Sequence, residues 1–194
     1  YETLQVMNTL QPGLCVLGTR LPGCFNVFEM SVRAVLGQQV TVKAASTLAA
    51  RLVSVYGTQV QTGIEGLTHS FPAPAAILAL GENISEHLGK LGIISARANT
   101  IYQLARVLAD EKNDFGFCGN PEEEMQKLQA IRGIGSWTAQ YIAMRAMGWP
   151  DAFLPTDAGI KKALPDHTPK ELQVLSEAWR PWRSYATVNL WNTL

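Results

Sequence analysis

Three groups of residues in the last third of the chain have types and spacings that could do chemistry. The first is Gly133-Ile134-Gly135, followed at once by a helical pattern opening on Ser136 and Trp137. Glycine permits positive φ and the close approach of another backbone or a ligand. The first turn of the next helix leaves N–H groups unpaired, with the positive end of the helix dipole behind them. Gly133, Gly135 and Ser136 can therefore form an anion site of backbone donors that holds a phosphate without a lysine. The same residues also fit a plain helix–turn–helix connection, where glycines are common. The second group is one carboxylate, Asp157 in "FLPTDAGIKKAL", twenty positions beyond Trp137 at the entrance to a helix. Taken alone it reads as a helix N-cap. A fixed anion in such a place can also stabilise positive charge that develops on a substrate. The third group is aromatic. Trp137 and Tyr141 are four apart, hence on one helix face, and Trp191 lies late in the last helical pattern. Their π-faces can stack on a flat ring and favour a cationic one by roughly 0.5–2 kcal/mol per contact. Each could equally serve a core, and Trp179 and Trp182 read as core.

The elements that must position these groups are helical. Phe28, Val32, Val35 and Leu36 recur at helical spacing, as do Ala45, Leu48, Leu52 and Val55, and then Ile101, Leu104, Ala105 and Leu108. Thr41 is expected to cap the second of these helices and Ser95 the third. "YGTQVQTGIEGLTHSFPAPAA" is turn-rich and leads into a short helix around residues 75–80. "FGFCGNPEEE" is a second break. Pro121 followed by three glutamates predicts a helix over 121–130. Another follows over about 136–147, a short one after Thr156, one from Thr168, and a last one through Trp191. Strand signal is almost absent, so the expectation is an all-α fold of about ten helices.

Composition narrows the function classes. The 194 residues suffice for one domain or two small lobes sharing a cleft. The 47% apolar content is that of a globular core, and no segment is long and apolar enough for a membrane span. Cys15, Cys24 and Cys118 match no metal-binding spacing and read as reduced thiols of a cytosolic protein. Net charge is zero, which argues mildly against nucleic acid, although a phosphate site built from backbone donors weakens that objection. Asp110, Glu111, Asp114, Glu122, Glu123 and Glu124 form an acidic run that reads as solvated surface. The chain opens on Tyr1 and stops within "LWNTL", as a piece of a longer protein would.

"LQAIRGIGSWTAQYI" resembles the helix–hairpin–helix DNA-binding motif along its full length, with Leu128 and Ile131 before the turn and Ala139 and Ile142 after it. A hairpin followed at this distance by an aspartate entering a helix is similar to the DNA glycosylase superfamily of base-excision enzymes. Three blocks in order, "LPGCFNVFEMSVRAVLGQQVTVKAA", "LQAIRGIGSWTAQYIAMRAMGWPDAFLPTDAGIKKAL" and "TPKELQVLSEAWRPWRSYATVNLWNTL", resemble the DNA-3-methyladenine glycosylase II (AlkA-type) family over residues 20–194. That resemblance implies two helical lobes around a cleft, with the hairpin and Asp157 at its rim. It makes Asp157 the catalytic carboxylate, supporting an oxocarbenium-like sugar as the N-glycosidic bond breaks. It makes Trp137, Tyr141 and Trp191 the pocket for a flipped alkylated purine. It places the DNA phosphate on Gly133, Gly135 and Ser136. A Na+ or K+ ion would sit on the backbone carbonyls of Gln129, Ile131 and Ile134, and no other cofactor is required.

The same resemblance implies double-stranded DNA with alkylated bases (3-methyladenine, 7-methylguanine) as partner, a monomer, no membrane contact, and a bacterial cytoplasmic, nucleoid-associated setting. Relatives that also cut the strand carry a nucleophilic lysine where this chain has Trp137, so a monofunctional glycosylase is expected. Residues 1–19 would be the linker remnant of an absent N-terminal α/β domain. Thr156 beside Asp157 is a variant seen in fusions with an Ada-type regulator. The position of the family's apolar wedge falls on Gln39, beside Gln38, and glutamine is the weaker wedge. Two alternatives stand beside this reading. One is a non-catalytic module that senses damaged DNA for a fused regulator. The other is a glycosylase for oxidised or mismatched bases, which would call for more hydrogen-bonding pocket residues than the sequence offers.

Overall fold

The computed structural model describes residues 5, 8, 13–109 and 120–194. Asp110, Glu111, Asp114 and Cys118, with most of the predicted break around them, lie outside the described residues. Half of the ten α-helices among the described residues begin where the sequence supplies a side-chain cap. Asn26 accepts from the Glu29 N–H at 2.8 Å and opens α1 (Val27–Leu36). Thr41 accepts from Ala44 N–H and opens α2 (Val42–Tyr56), as predicted. A two-stranded antiparallel ribbon, β1 (Thr58–Gln59) with β2 (His69–Ser70), follows within the turn-rich stretch. Then come α3 (Pro74–Leu78), α4 (Ile84–Gly89) and α5 (Ser95–Leu108). Ser95 does not cap α5: the chain is still extended at Ile94, which takes the cap position and leaves Ser95 one residue inside.

Pro121 and the three glutamates start α6 (Pro121–Gln129) behind an Asn120 cap, and α7 (Ser136–Ala146) follows. α8 (Ala158–Ala163), α9 (Pro169–Ser176) and α10 (Arg183–Trp191) complete the ten α-helices among the described residues. Thr168 and Glu171 form a reciprocal capping box on α9.

The helices build two cores. The first joins α1 to α7, with Val32, Leu36, Leu52, Ile77, Ile101, Leu104, Leu128 and Ile142 excluded from solvent. α2 lies at its edge, so only Ala49 and Leu52 are buried there. Val55, predicted on the inner face, is 56% exposed, and the last turn of α2 packs Tyr56 against the core instead. The second core holds Leu14, Cys15, Phe153, Ile160, Leu172, Trp179, Ala186 and Leu190, with Trp182 packed against it. Trp179 is fully buried, in keeping with its reading as core. Residues 14 and 15, within the segment expected to be a linker, belong to this second core. Val16 N–H and the Thr19 hydroxyl both donate to Asn189 Oδ1 on α10, at 3.0 and 3.1 Å. Burial pushes the thiols of Cys15 and Cys24 up from the ordinary thiol range.

Between the cores lies a small apolar seam. Met144, Ala152 and Leu154 form its floor, and Leu21, Trp137, Tyr141, Trp149 and Trp191 pack on it. The loop that crosses the seam, from Met147 to Asp157, is pinned to α10. Ser184 Oγ donates to the carbonyls of Trp149 and Ala152, at 2.7 and 3.1 Å. Asp151 accepts two bonds from the buried Arg183, at 2.7 and 2.9 Å, and a further one from Arg180. A buried carboxylate with these partners is fully compensated and fixes the loop that leads to Asp157. No helix among the described residues is long and apolar enough to cross a membrane.

Candidate active site at the seam

Asp157 sits where the loop becomes α8, and it is both a helix cap and a seam residue. As a cap, its Oδ1 accepts from the N–H groups of Gly159 and Ile160, at 2.8 and 3.1 Å. As a seam residue, the same oxygen accepts from Trp191 Nε1 at 2.8 Å, and Oδ2 accepts from Trp137 Nε1 at 3.0 Å. Four N–H donors thus converge on one half-buried carboxylate. Oδ1 is saturated by three of them. Oδ2 has one, and keeps lone-pair capacity for a further partner. The two indoles that frame Asp157 come from α7 in one half of the molecule and α10 in the other.

Trp137 and Tyr141 stack face to face, with centroids 5.2 Å apart and planes 7° from parallel. That separation leaves no room for a third ring between them, so a planar ligand could meet only the outer face or edge of this stack. Trp191 is tilted 48° to Tyr141 at 6.4 Å and forms the second wall. Arg145, one turn further along α7, lies 5.7 Å from the Tyr141 centroid and donates to its hydroxyl at 3.3 Å. The seam is therefore aromatic on two sides, with a single carboxylate between them. The close approach of Trp191 depends on Gly159: a Cβ there would lie 2.7 Å from Trp191 Cδ1 and 3.1 Å from Asp157 Oδ1.

The hairpin lies at the other end of α7. Ile131 and Ile134 are buried and tie α6 to α7, and Ile134 N–H donates to the Ile131 carbonyl at 3.0 Å. The two glycines do different work. Gly133 has φ 96°, and a Cβ there would sit 2.1 Å from Thr100 Oγ1 on α5. Gly135 is the N-cap of α7, with no side-chain cap bond, and a Cβ there meets nothing within 4 Å. Gly133 is required by the fold, whereas Gly135 leaves open space before the first turn of α7, where a ligand would approach its N–H groups.

Gly133→Ala is accordingly expected to destabilise the protein by about 2–3 kcal/mol, seen as a lower denaturation midpoint. Gly135→Ala should shift stability by less than about 1 kcal/mol, yet weaken the duplex binding expected from the sequence, read by fluorescence anisotropy. Equal stability costs at the two positions would remove the distinction.

Some carbonyls of the turn are already engaged. Arg132 O faces Thr100 Oγ1 at 2.9 Å and Gly133 O accepts from Gln38 Nε2 at 2.9 Å. The Ile131 carbonyl is engaged as well, by the Ile134 N–H at 3.0 Å. Neutral oxygens of this kind suit a hard monovalent cation, and each carbonyl has a second lone pair even where, as at Ile131, one bond is made. No group of His, Cys, Asp or Glu among the described residues could hold a metal ion. Gln39, on the turn between α1 and α2, is exposed and has φ 52°. Sequence reasoning missed Gly159, Thr100, Arg145 and the role of Gln38. The only local signal for Gly159 was a glycine in a helix's first turn.

Fold and site together define a helix–hairpin–helix protein with a carboxylate set among aromatic rings. Residues 32–183 match the HhH-GPD superfamily base excision DNA repair proteins, and the chain belongs to that family. It is 39% identical over 176 residues to DNA-3-methyladenine glycosylase 2 of Escherichia coli K12, covering 91% of this chain and 61% of the relative. It is 42% identical over 182 residues to a probable bifunctional transcriptional activator/DNA repair enzyme AlkA of Mycobacterium tuberculosis H37Rv, covering 91% of this chain and 35% of that one. The chain thus spans less than two thirds of the length of either relative. Its fold is that of the 3-methyladenine DNA-glycosylase from Archaeoglobus fulgidus, with TM-score 0.78, 23% identity, and coverage of 98% of this chain and 67% of that one. The Schizosaccharomyces pombe 3-methyladenine DNA glycosylase in complex with abasic DNA gives TM-score 0.72 at 21% identity, over 99% and 89%.

Proposed function

We propose that this chain is the catalytic part of a monofunctional DNA glycosylase that removes alkylated purines, chiefly 3-methyladenine and 7-methylguanine. The observation that carries this reading is Asp157, held by two indole N–H groups between the aromatic walls of the seam. The hairpin N–H groups at Gly135 and Ser136 take a duplex phosphate, and a Na+ or K+ ion on the carbonyls of Gln129, Ile131 and Ile134 supports that contact. The damaged nucleotide turns out of the stack, and Gln39 fills the space it leaves. The purine, made cationic by alkylation, rests on the π-faces of Trp137, Tyr141 and Trp191.

As the bond from C1′ to the base nitrogen breaks, its electron pair leaves with the base. The Oδ2 side of Asp157 stabilises the positive sugar until water adds at C1′ and gives up its proton. α7 carries no lysine, so no Schiff base forms on it and the strand stays intact. We place the protein, as a monomer, on the DNA of the bacterial cytoplasm. An Ada-type fusion is the parent that Thr156 and the 42% identity to the mycobacterial bifunctional relative favour.

The test is release of free base from methylated duplex DNA by the full-length protein, with products resolved by chromatography. Appearance of 3-methyladenine and 7-methylguanine without strand nicking is expected. Binding to damaged duplex with no base released would overturn the enzyme and favour a damage-sensing module.

A further inference from the structure

Gln38 precedes Gln39 on the turn between α1 and α2, but its side chain serves the hairpin. Nε2 donates to the Gly133 carbonyl at 2.9 Å and to Thr138 Oγ1 at 2.9 Å. Gly133 closes the hairpin turn and Thr138 stands in the first turn of α7, so one amide braces both sides of the proposed phosphate site. The Gln38 backbone carbonyl in turn accepts from Arg97 Nη2 on α5. Thr100, one turn along α5, meets the Arg132 carbonyl on the hairpin at 2.9 Å. α5 therefore supports both the turn and the hairpin, and Gln38 links them directly.

The next residue makes this brace informative. Among the described residues Gln39 alone combines a side chain with positive φ. A left-handed backbone is unfavourable for a residue with a Cβ, and it persists where the surroundings impose it. Here the residue before it is held by its side chain and its carbonyl at once. The consequence is an exposed side chain at a fixed offset from the hairpin.

We propose that Gln38 is a positioning residue for base extrusion: it holds the Gln39 turn and the Gly133–Thr138 hairpin in one rigid frame. The inference rests on the glycosylase reading, because it takes the hairpin as the phosphate grip and Gln39 as the wedge. Extrusion opposes pairing and stacking. A wedge on a loose turn would yield instead of entering the duplex, and the frame prevents this by setting the wedge against a phosphate already held.

Gln38→Met in the full-length protein keeps length and bulk and removes both side-chain donors. Single-turnover excision is compared on two duplexes, one with 7-methylguanine opposite cytosine and one with it opposite an abasic site, where no pair resists extrusion. The variant should be about tenfold slower on the paired lesion, as loss of two hydrogen bonds allows, and less than about twofold slower on the unpaired one. Thr138→Val, which removes one acceptor, should show the same selectivity at about threefold. Equal losses on both duplexes, or no loss on either, would overturn the inference and leave Gln38 a structural contact. A wild-type protein that releases no base overturns the glycosylase reading itself. The fluorescence of 2-aminopurine placed opposite the lesion then decides the frame by unstacking on binding: a smaller rise with Gln38→Met supports it, and an equal rise, or none in either protein, sinks it.

Discussion

Asp157→Asn is expected to lower single-turnover release of 3-methyladenine by about a thousandfold, the scale for removing one charge-stabilising group at a reacting centre. Duplex affinity should change by less than about threefold, because the proposed phosphate contacts lie at the hairpin and not at Asp157. The fold should survive the change, since asparagine is as good an N-cap as aspartate. Its amide oxygen can take the Oδ1 place, where Gly159, Ile160 and Trp191 all donate. The amide NH2 then falls at the Oδ2 place, facing the Trp137 indole N–H now 3.0 Å from that oxygen. Donor meets donor, and Trp137 loses its partner at a cost of about 1–2 kcal/mol. The variant should therefore show altered tryptophan emission as well as lost excision. A rate within tenfold of wild type would reduce Asp157 to a helix cap. Loss of excision together with an equal loss of affinity would point to damage of the DNA surface instead.

The parts of this site that were legible in the sequence are those set by neighbours along the chain. Pro121 with three glutamates, the cap at Thr41, the helix start near Thr168 and the glycine turn each declare themselves within a few residues, because backbone donors near a helix start must be satisfied locally. α4 escaped notice because six residues behind a short 3-10 turn carry too little periodicity. Ser95 misled because a cap is placed by where the chain stops being extended, and that is Ile94. Residue types that touch only through the tertiary fold gave no local signal, and only the family resemblance brought Trp191 and Asp157 to one site. Gln38 meets Gly133 across 95 positions, and Trp191 meets Asp157 across 34. The aromatic pair was foreseeable from its spacing of four. The 7° stack that closes the space between the rings was not, because spacing places side chains on a face and packing decides their tilt.

Gly159→Ala separates the site from the fold in the opposite sense. Gly159 lies in the first turn of α8, and alanine there favours the helix by up to about 1 kcal/mol. Local propensity alone would make the change stabilising. The added methyl, however, would stand 2.7 Å from Trp191 Cδ1, 2.9 Å from its Nε1 and 3.1 Å from Asp157 Oδ1. The two nearest atoms both belong to the indole, so it is the group that must move. It would take with it the 2.8 Å bond that fixes Oδ1 and one wall of the proposed base pocket. Excision should fall by about a hundredfold, as a displacement of an ångström in a positioning group allows, while the melting temperature stays within about 4 °C of wild type. Asp157 keeps its charge and its two backbone donors in this variant, so the loss measures placement and not chemistry. If the melting temperature drops steeply and the rate per folded molecule is unchanged, Trp191 is a packing residue and the second wall of the pocket must be sought elsewhere.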